Sequence, residues 1–396
     1  MANNTIPIQI ETLTPVHIGS GEELQGNFEY LHFQDEGVLG VIDANKILKI
    51  IGEDVESINK WVEVIDKQGN LLKDLPQLRN ASSDEVAKRI ITIFDKAPNV
   101  DKNTIKEQTH LGNHQPTIPG SSLKGAIRTA ILTKLIKENP AFVADSKQLK
   151  DKRGRFNHAN IITEYLANDK KEDRRTGKTV SRFSANKDVM RFLRVSDFYF
   201  DTNTTVVKNT VINLFNYGWG EKKQESAYWE CIPQHAVTSG NIQIPQDLLK
   251  QVQKNNYITR NDFRLEIFEA KRLFKIINKH TLDLVDREVD FWEDNENPLA
   301  IGDYVTHLEH IKQTIGNCDE DACVIRVGAS NGWEFMTGGW ANGTDNIGDY
   351  ILEDNTWTDL KRSLRRGNYP DSVTFPKTRK MIEGGMPLGF VKLSLV

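Results

Sequence analysis

A short run in the first third of the chain constrains the fold more than any other stretch. Residues 119–128 read Pro-Gly-Ser-Ser-Leu-Lys-Gly-Ala-Ile-Arg, so a Pro-Gly turn leads into a helix that Pro140 ends. The apolar stripe of this helix consists of Leu123, Ile127, Ala130, Ile131 and Leu135. Lys124 and Arg128 lie one turn apart, near the unpaired N–H groups of the helix start. Because like charges at this spacing repel, the run predicts a phosphate site; the alternative is Ser121 as a plain cap among surface cations.

Length and composition exclude several classes of protein. The 396 residues carry a formal net charge of −4, with 38% hydrophobic and 27% charged side chains, as expected for a soluble protein of two or three domains. The chain has three cysteines, Cys231, Cys318 and Cys323. This number is small and odd, which argues against a secreted disulfide scaffold. Neither a signal peptide nor a membrane span is recognisable, so we expect a cytoplasmic protein.

Strand patterns dominate the start of the chain. Alternating apolar and polar residues predict a strand over residues 6–18 that ends in a Gly-Ser-Gly turn at residues 19–21. Residues 27–43 predict two strands around a turn at residues 35–37. A helix is predicted to begin at Ser83 and to place Val86, Ile90 and Phe94 on one face.

The rest of the chain interleaves strands and helices. Residues 146–190 are polar and rich in Lys and Arg, and residues 169–184 within them are expected to form a mobile loop. Further strands are predicted at residues 192–200, 205–213, 227–244, 322–327 and 389–395, and further helices at residues 264–279, 304–315 and 356–364. Because most connections are long and irregular, the pattern indicates an α+β fold with insertions rather than a doubly wound sheet.

Two glycine-rich segments allow a backbone to approach a ligand closely. Residues 17–26 read His-Ile-Gly-Ser-Gly-Glu-Glu-Leu-Gln-Gly, but the glycine spacing and the following strand do not match a dinucleotide fingerprint. The alternative there is a tight turn with no ligand. Residues 328–339 contain Trp333, which either stacks on a base or packs the loop onto the core. Near the C-terminus, Lys377 and Arg379 either hold backbone phosphates or form a solvated charge run.

No catalytic set stands out. His17 is the only histidine beside a glycine-rich turn, and Asp197 is expected to hold a neighbouring loop by hydrogen bonds. Zinc ligands are considered at His307, His310, Cys318 and Cys323, but their spacing is looser than that of common zinc fingers. No cofactor is therefore expected.

Several of these motifs together resemble the RAMP superfamily of CRISPR-associated proteins. The resemblance rests on residues 14–21 (Thr-Pro-Val-His-Ile-Gly-Ser-Gly), 118–125 (Ile-Pro-Gly-Ser-Ser-Leu-Lys-Gly) and 194–197 (Arg-Val-Ser-Asp). The C-terminal half is similar to the terminal RAMP subunit of type III-A, or Csm, effector complexes. This similarity rests on residues 326–328, Gly332-Trp333, Met336-Thr337, 376–379 and 387–392.

The resemblance implies two ferredoxin-like (RRM-like) domains with long insertions. The expected domains are residues 1–210, with insertions at about 53–114 and 146–190, and residues 211–396. It implies a subunit that binds the 3′ part of the guide RNA (crRNA) and caps the backbone filament of an antiviral effector complex. The implied partners are crRNA, target RNA, the other RAMP backbone and small subunits, and a host trimming nuclease, with no membrane.

The same resemblance assigns RNA-binding residues. The glycine-rich turn and the helix start would face the guide backbone through His17, Gly19, Ser20, Gly21, Ser121, Ser122, Lys124 and Arg128. The predicted set is completed by Arg153, Arg155, Arg182, Gly328, Trp333, Lys377 and Arg379. RAMP subunits that cut target RNA carry an aspartate shortly after the glycine-rich turn, where this chain has Gln25-Gly26-Asn27. We therefore expect a non-catalytic subunit; the alternative is a ribonuclease acting through Asp35 with a metal or through His17.

Overall fold

The fold is that of a computed structural model, which describes residues 5–93, 100, 103–139, 141–145, 147–172, 174–177, 179–214, 227–254, 265–293, 302–341, 378–382 and 384–396. The strands are β1 (Thr5–Thr12), β2 (Gly19–Gln25), β3 (Tyr30–Phe33), β4 (Val38–Ile42), β5 (Ala87–Thr92), β6 (Thr104–Gln108), β7 (His110–Leu111), β8 (Gln115–Ile118), β9 (Asn168–Glu172), β10 (Thr179–Phe183), β11 (Arg194–Val195), β12 (Phe198–Tyr199), β13 (Val206–Leu214), β14 (Ala227–Cys231), β15 (Val237–Gln243), β16 (Ala322–Arg326), β17 (Thr378–Ile382) and β18 (Phe390–Leu395). The helices are α1 (Ala44–Ile51), α2 (Val55–Asp66), α3 (Leu71–Asp74), α4 (Ser83–Val86), α5 (Gly120–Glu138), α6 (Ala141–Ala144), α7 (His158–Leu166), α8 (Gln246–Lys254), α9 (Ala270–Glu293) and α10 (Gly302–Gly316).

One antiparallel sheet has the order β11-β15-β1-β18-β16. Along the chain, these strands and the helices α5 and α9 occur in the order β1, α5, β11, β15, α9, β16 and β18. Other elements are inserted between them. This order is the one expected for a split βαβ arrangement, and the two ferredoxin-like domains stay a prediction. Ile8 and Ile10 of β1 and Leu123 of α5 are fully buried in the same core. The predicted α+β class is confirmed.

Helix α5 forms where the ten-residue run predicts it, and Leu123, Ile127, Ala130, Ile131 and Leu135 are all buried. Ser121 does not cap this helix. Pro119 occupies the N-cap position, and the first helical amide, that of Gly120, donates to Asp197 Oδ1 at 2.7 Å. A side chain at Gly120 would lie 2.3 Å from the Val195 carbonyl oxygen, so only glycine fits there. Asp197 thus has the hydrogen-bonding role expected for it. Helix α5 ends at Glu138, and Pro140 lies outside the described residues.

A second, curled sheet has the order β2-β6-β14-β13-β5-β4-β3, with β17 added beside β13. The predicted hairpin is present as β3 and β4, and its turn is a 3-10 segment, Gln34–Glu36, closed by Gly37 at φ 66°. Residues 19–21 do not form the predicted turn. They begin strand β2, which pairs with β6 across an irregularity between Gly19 and Glu23. Gly21 has φ 97°, a conformation that favours glycine.

Other local predictions fail for identifiable reasons. The helix from Ser83 is a single turn, capped by Ser82 and Glu85, before the chain becomes β5. Pairing of β5 with β4 outweighs its helix-like spacing. Within the basic segment expected to be a loop, strands β9 and β10 pair antiparallel over residues 168–172 and 179–183. Residues 192–200 contain only the short strands β11 and β12. The helix predicted at residues 264–279 extends instead from Ala270 to Glu293, and the one predicted at residues 356–364 lies outside the described residues.

Both sheets combine strands from either side of residue 210. The first contains β1 and β11 from the N-terminal half and β15, β16 and β18 from the C-terminal half. Strand β13 itself runs across that position. The division into residues 1–210 and 211–396 stays a prediction, and it does not coincide with a boundary between the sheets.

Candidate nucleic-acid interface

The side chain of His17 is buried, with 3% of its surface exposed. Its Nδ1–H donates to the Glu230 carbonyl oxygen at 2.6 Å, and its ring lies 4.7 Å from that of Trp229. Burial lowers the pKa of His17 below its ordinary value, so the imidazole is neutral. His17 therefore supports the neighbouring backbone, and its place in the RNA-binding surface stays a prediction in which the buried side chain makes no direct contact.

Gly328 touches the His17 segment directly. A Cβ atom at Gly328 would lie 2.4 Å from the His17 carbonyl oxygen, and the residue has φ 79°. The next amide, Ala329 N–H, donates to the same oxygen at 2.8 Å. The two glycine-rich segments, far apart in sequence, are therefore packed backbone against backbone. Only glycine allows this approach.

Gly328 also lines a cleft of about 320 Å³ beside the start of α5. Ser122 and Arg128 belong to the same cleft, so three predicted RNA-binding residues come together there. The remaining wall comes from α7 and from the segment after β16, including the π-helical turn Glu334–Gly338. Arg128 remains 38% exposed and half-buried Ser122 lines the same opening, so charged and polar groups are accessible at this cleft.

An excess of positive charge surrounds the N-terminal half of α5. Arg128 Nη2 lies 3.8 Å from Asp188 Oδ2. Partial burial lowers the pKa of Lys124, and the charges of Arg128 and Arg194 lower it further, against the opposing effect of Asp188. Lys124 therefore lies near two other cations, Arg128 and Arg194, and one carboxylate, Asp188, which contacts Arg128. The repulsion between Lys124 and Arg128 was predictable from their spacing, but Asp188 and Arg194 come from distant parts of the chain and were not predicted.

Strand β2 is tied to a buried ion-pair network. Ser20 Oγ–H donates to Glu107 Oε2 at 2.9 Å, and Arg89 Nη2 reaches Glu107 Oε1 at 2.9 Å. Arg89 also pairs with Glu230, which is fully buried. Ser20 is therefore oriented from within the protein, and its hydroxyl is committed to Glu107 in this structure.

Other predicted RNA-binding residues either do not line the cleft or fall outside the described part of the chain. Ser121 and the arginines Arg153, Arg155 and Arg182 are exposed, Arg182 on β10. Arg379 lies in β17 opposite Asn213, and Lys377 falls outside the described residues. Trp333 is half-buried and lines a separate cleft of about 240 Å³ with Arg326 and Lys380.

The tryptophan that lines the cleft with Arg128 was not among the residues predicted from the sequence. This residue is Trp340, which follows the Gly338-Gly339 pair and is fully buried. Met336, 58% exposed, lies on the same wall. The Gly-Gly-Trp sequence was the available signal, but Trp340 lies one residue beyond the glycine-rich segment 328–339.

A family model of the RAMP superfamily matches residues 9–312. The chain belongs to the RAMP superfamily. The match covers the His17 segment, α5 and the Asp197 cap of α5, but it ends before the Gly328 segment that forms the other wall of the cleft.

Similar proteins match this RAMP chain over almost its whole length. The CRISPR system Cms protein Csm5 of Methanocaldococcus jannaschii is 23% identical over 426 aligned residues, covering 99% of this chain and 89% of that protein. A chain in the cryo-EM structure of a Csm-crRNA-target RNA ternary complex of a type III-A CRISPR-Cas system has a TM-score of 0.70 at 21% identity, covering 98% of this chain and 100% of its own. The crystal structure of T. onnurineus Csm5 has a TM-score of 0.63 at 19% identity and covers 97% and 99%.

The described part of this RAMP protein shows no group of three His, Cys, Asp or Glu side chains placed to hold a metal ion. Of the residues considered for zinc, His307 and His310 lie on α10, while Cys323 is buried in β16, where burial raises its thiol pKa. Asp35 is exposed in the β3–β4 turn. Among the helices that can be described, none is both long and apolar enough to cross a bilayer.

Proposed function

We propose that this chain is a crRNA-binding subunit that caps the backbone filament of a type III CRISPR effector complex. The observation that carries the proposal is the surplus of positive charge where the start of α5 meets the Gly328 segment. The names of the similar proteins support it, since one is a Csm5 and another is a chain of a Csm-crRNA-target RNA complex. Binding the 3′ part of the guide, beside other RAMP and small subunits and target RNA, is consistent with this surface.

The interface suits a nucleic-acid backbone. Lys124 and Arg128 supply positive charge, and phosphate contacts of this kind set the position of a strand without selecting its sequence. A guide-binding subunit needs this property because the guide sequence varies while the subunit does not. Recognition should therefore depend on salt and little on base identity.

We propose further that the subunit is non-catalytic. The buried and neutral His17 cannot approach a phosphodiester, and Asp35 stands in an exposed turn with no metal-ligand group assembled around it within the described residues. A cytoplasmic location and recruitment of a trimming nuclease remain predictions.

The test is the double variant Lys124→Ala/Arg128→Ala. We expect weaker binding of single-stranded guide RNA and a salt dependence whose log–log slope falls by about 1.4, because two phosphate contacts are lost. The matched control is Lys49→Ala/Lys60→Ala, which removes the same charge from exposed positions on α1 and α2. An unchanged slope in the α5 variant, measured by fluorescence anisotropy over a salt series, would contradict the proposal.

A further inference from the structure

The cleft beside α5 has mostly apolar walls. Ala126 and Leu132 of α5 face Ile161 and Ile162 of α7, and Phe335 continues the wall. The wall is fixed before any ligand binds, because the Thr129 hydroxyl donates to the Met336 carbonyl oxygen at 2.6 Å. Helix α5 therefore holds the Glu334–Gly338 turn in place.

Three buried polar atoms in the lining have no hydrogen-bond partner among the described residues. They are the indole N–H of Trp340, Oδ1 of Asn331 and the Nε–H of Arg128, whose guanidinium end is partly exposed. An unpaired buried donor or acceptor costs about 1–3 kcal/mol in folding. Retaining an acceptor and two donors in the same cleft indicates a ligand that carries both acceptors and a donor.

We propose that the cleft binds one unstacked nucleobase of single-stranded RNA, whose phosphate lies at Arg128. The proposal rests on the proposed RNA-binding function and names the site that takes a base. The volume lies at the small end of ligand pockets and suits a single planar group. Proteins commonly recognise single-stranded RNA by taking a splayed base between apolar or aromatic side chains and hydrogen-bonding its edge.

A nucleobase fits better than an apolar side chain from a neighbouring subunit. An apolar side chain would leave Trp340 Nε1–H and Asn331 Oδ1 unpaired, whereas the edge of a base supplies both complements. The Arg128 guanidinium, 38% exposed, would also make no polar contact with an apolar group. Its positive charge can instead bind the phosphate attached to a base.

Gly125 allows the cleft to be blocked without disturbing the fold. It lies in α5 and lines the cleft, and a Cβ atom there would meet no other atom within 4 Å. Gly125→Leu places an apolar side chain in the opening while improving helix propensity. The controls are Gly125→Ala, which adds one methyl group, and Gly316→Leu, at the end of α10, where Cβ likewise meets nothing within 4 Å.

The probe is a short single-stranded RNA with one abasic site, moved one position at a time. We expect the wild-type chain to lose about tenfold in affinity when the abasic site falls on the base that enters the cleft. Gly125→Leu should bind intact RNA about as weakly and lose nothing further at that position, while both controls behave as wild type. Thermal unfolding establishes that all three variants fold.

Three outcomes would overturn the proposal. In the first, the abasic scan is flat although Lys124→Ala/Arg128→Ala reduces the salt slope, and then RNA binding stands but the base site does not. In the second, Gly125→Leu gives the same abasic-site scan as the wild type and loses only its association with neighbouring subunits. The cleft then binds a protein side chain. In the third, the wild-type chain binds no RNA, and the proposed function fails together with the base site.

Discussion

Two charged clusters in this molecule use the same side-chain chemistry in opposite ways. In the buried cluster, the Glu230 carboxylate accepts from Arg89, from the Thr205 hydroxyl at 2.8 Å and from the Gln108 amide at 3.2 Å. In the half-exposed cluster, the Asp188 carboxylate contacts Arg128 at 3.8 Å, and the charges of Arg128 and Arg194 both lower the pKa of Lys124. The first cluster satisfies its charges internally, whereas the second has more cations than its one carboxylate can neutralise.

The difference separates structural charge from charge available to a ligand. A buried pair must be fully hydrogen-bonded because desolvation is expensive, so its members have nothing left to offer. Cations at a half-exposed position lose less hydration, and 38% of the Arg128 side chain stays exposed. The number of unsatisfied charges, rather than the presence of charge, marks the interface.

The largest expected effect comes from breaking the buried cluster. Glu230→Ala leaves Arg89 charged, 2% exposed and paired only with Glu107, and should lower the free energy of unfolding by about 3–5 kcal/mol. Urea unfolding followed by circular dichroism measures the loss. Glu22→Ala, at an exposed position on β2, is the control and should change stability by less than about 0.5 kcal/mol.

A double variant distinguishes lost pairing from lost packing. Arg89→Ala/Glu230→Ala should lose much less free energy of unfolding than the two single variants lose together. The double variant removes both charges, so neither is left buried without its partner. Additive losses would show that the two residues act independently and that the cluster is not a structural pair.

The next largest expected effect is a pH dependence of stability that arises from His110, which lies beside Glu230 of the buried cluster. Burial and the nearby Arg89 guanidinium lower the pKa of His110 from 6.5 to about 4. Between these values the unfolded chain binds a proton that the folded chain excludes. The stability that follows from the low pKa of His110 is therefore fully present above pH 6.5. It decreases as the pH falls towards 4, and the free energy of unfolding is lower by about 1–2 kcal/mol at pH 5.

Comparison of two histidine variants isolates this contribution. His110→Asn should lose less stability than the wild type between pH 7 and pH 5 in urea titrations. His235→Asn is the control, because His235 is 71% exposed and its φ of 64° is tolerated by Asn. Equal pH dependence in wild type and His110→Asn would show that His110 is protonated as readily in the folded chain as in the unfolded one.

The parts of the fold that local sequence determines were predictable. Helix α5 has a clear apolar stripe after a Pro-Gly turn, and its bounds depend mainly on residues within it. The β3–β4 hairpin likewise follows from alternation around Gly37. The role of Asp197 was also predicted, because a carboxylate in a buried strand region requires hydrogen-bond donors.

The parts that depend on long-range pairing were not predictable. The segment from Gly19 to Gln25 becomes a strand because β6, more than eighty residues later, pairs with Gly19 and with residues 23–25. Likewise, the single turn at Ser83 gives way to β5 because β4 provides a partner. At the interface, Trp340 and Asp188 reach α5 only through tertiary packing, so no local pattern marked them. Sequence thus located the helix that carries the cations but not the residues that complete its surroundings.

The smallest effect tests whether Asp188 limits the half-exposed cluster. Asp188→Asn removes the negative charge but keeps an oxygen that can accept from the Met190 amide, as Asp188 Oδ1 does at 2.9 Å. With the competing carboxylate gone, affinity for single-stranded RNA at low salt should rise about two- to fivefold, and stability should change by less than about 1 kcal/mol. The matched control is Asp145→Asn, which removes a charge from an exposed loop whose Oδ1 also accepts a backbone amide. A fall in RNA affinity for Asp188→Asn would mean that Asp188 orients Arg128 for phosphate rather than competing with it, and the uncompensated charge would then not be what distinguishes the interface from the buried cluster.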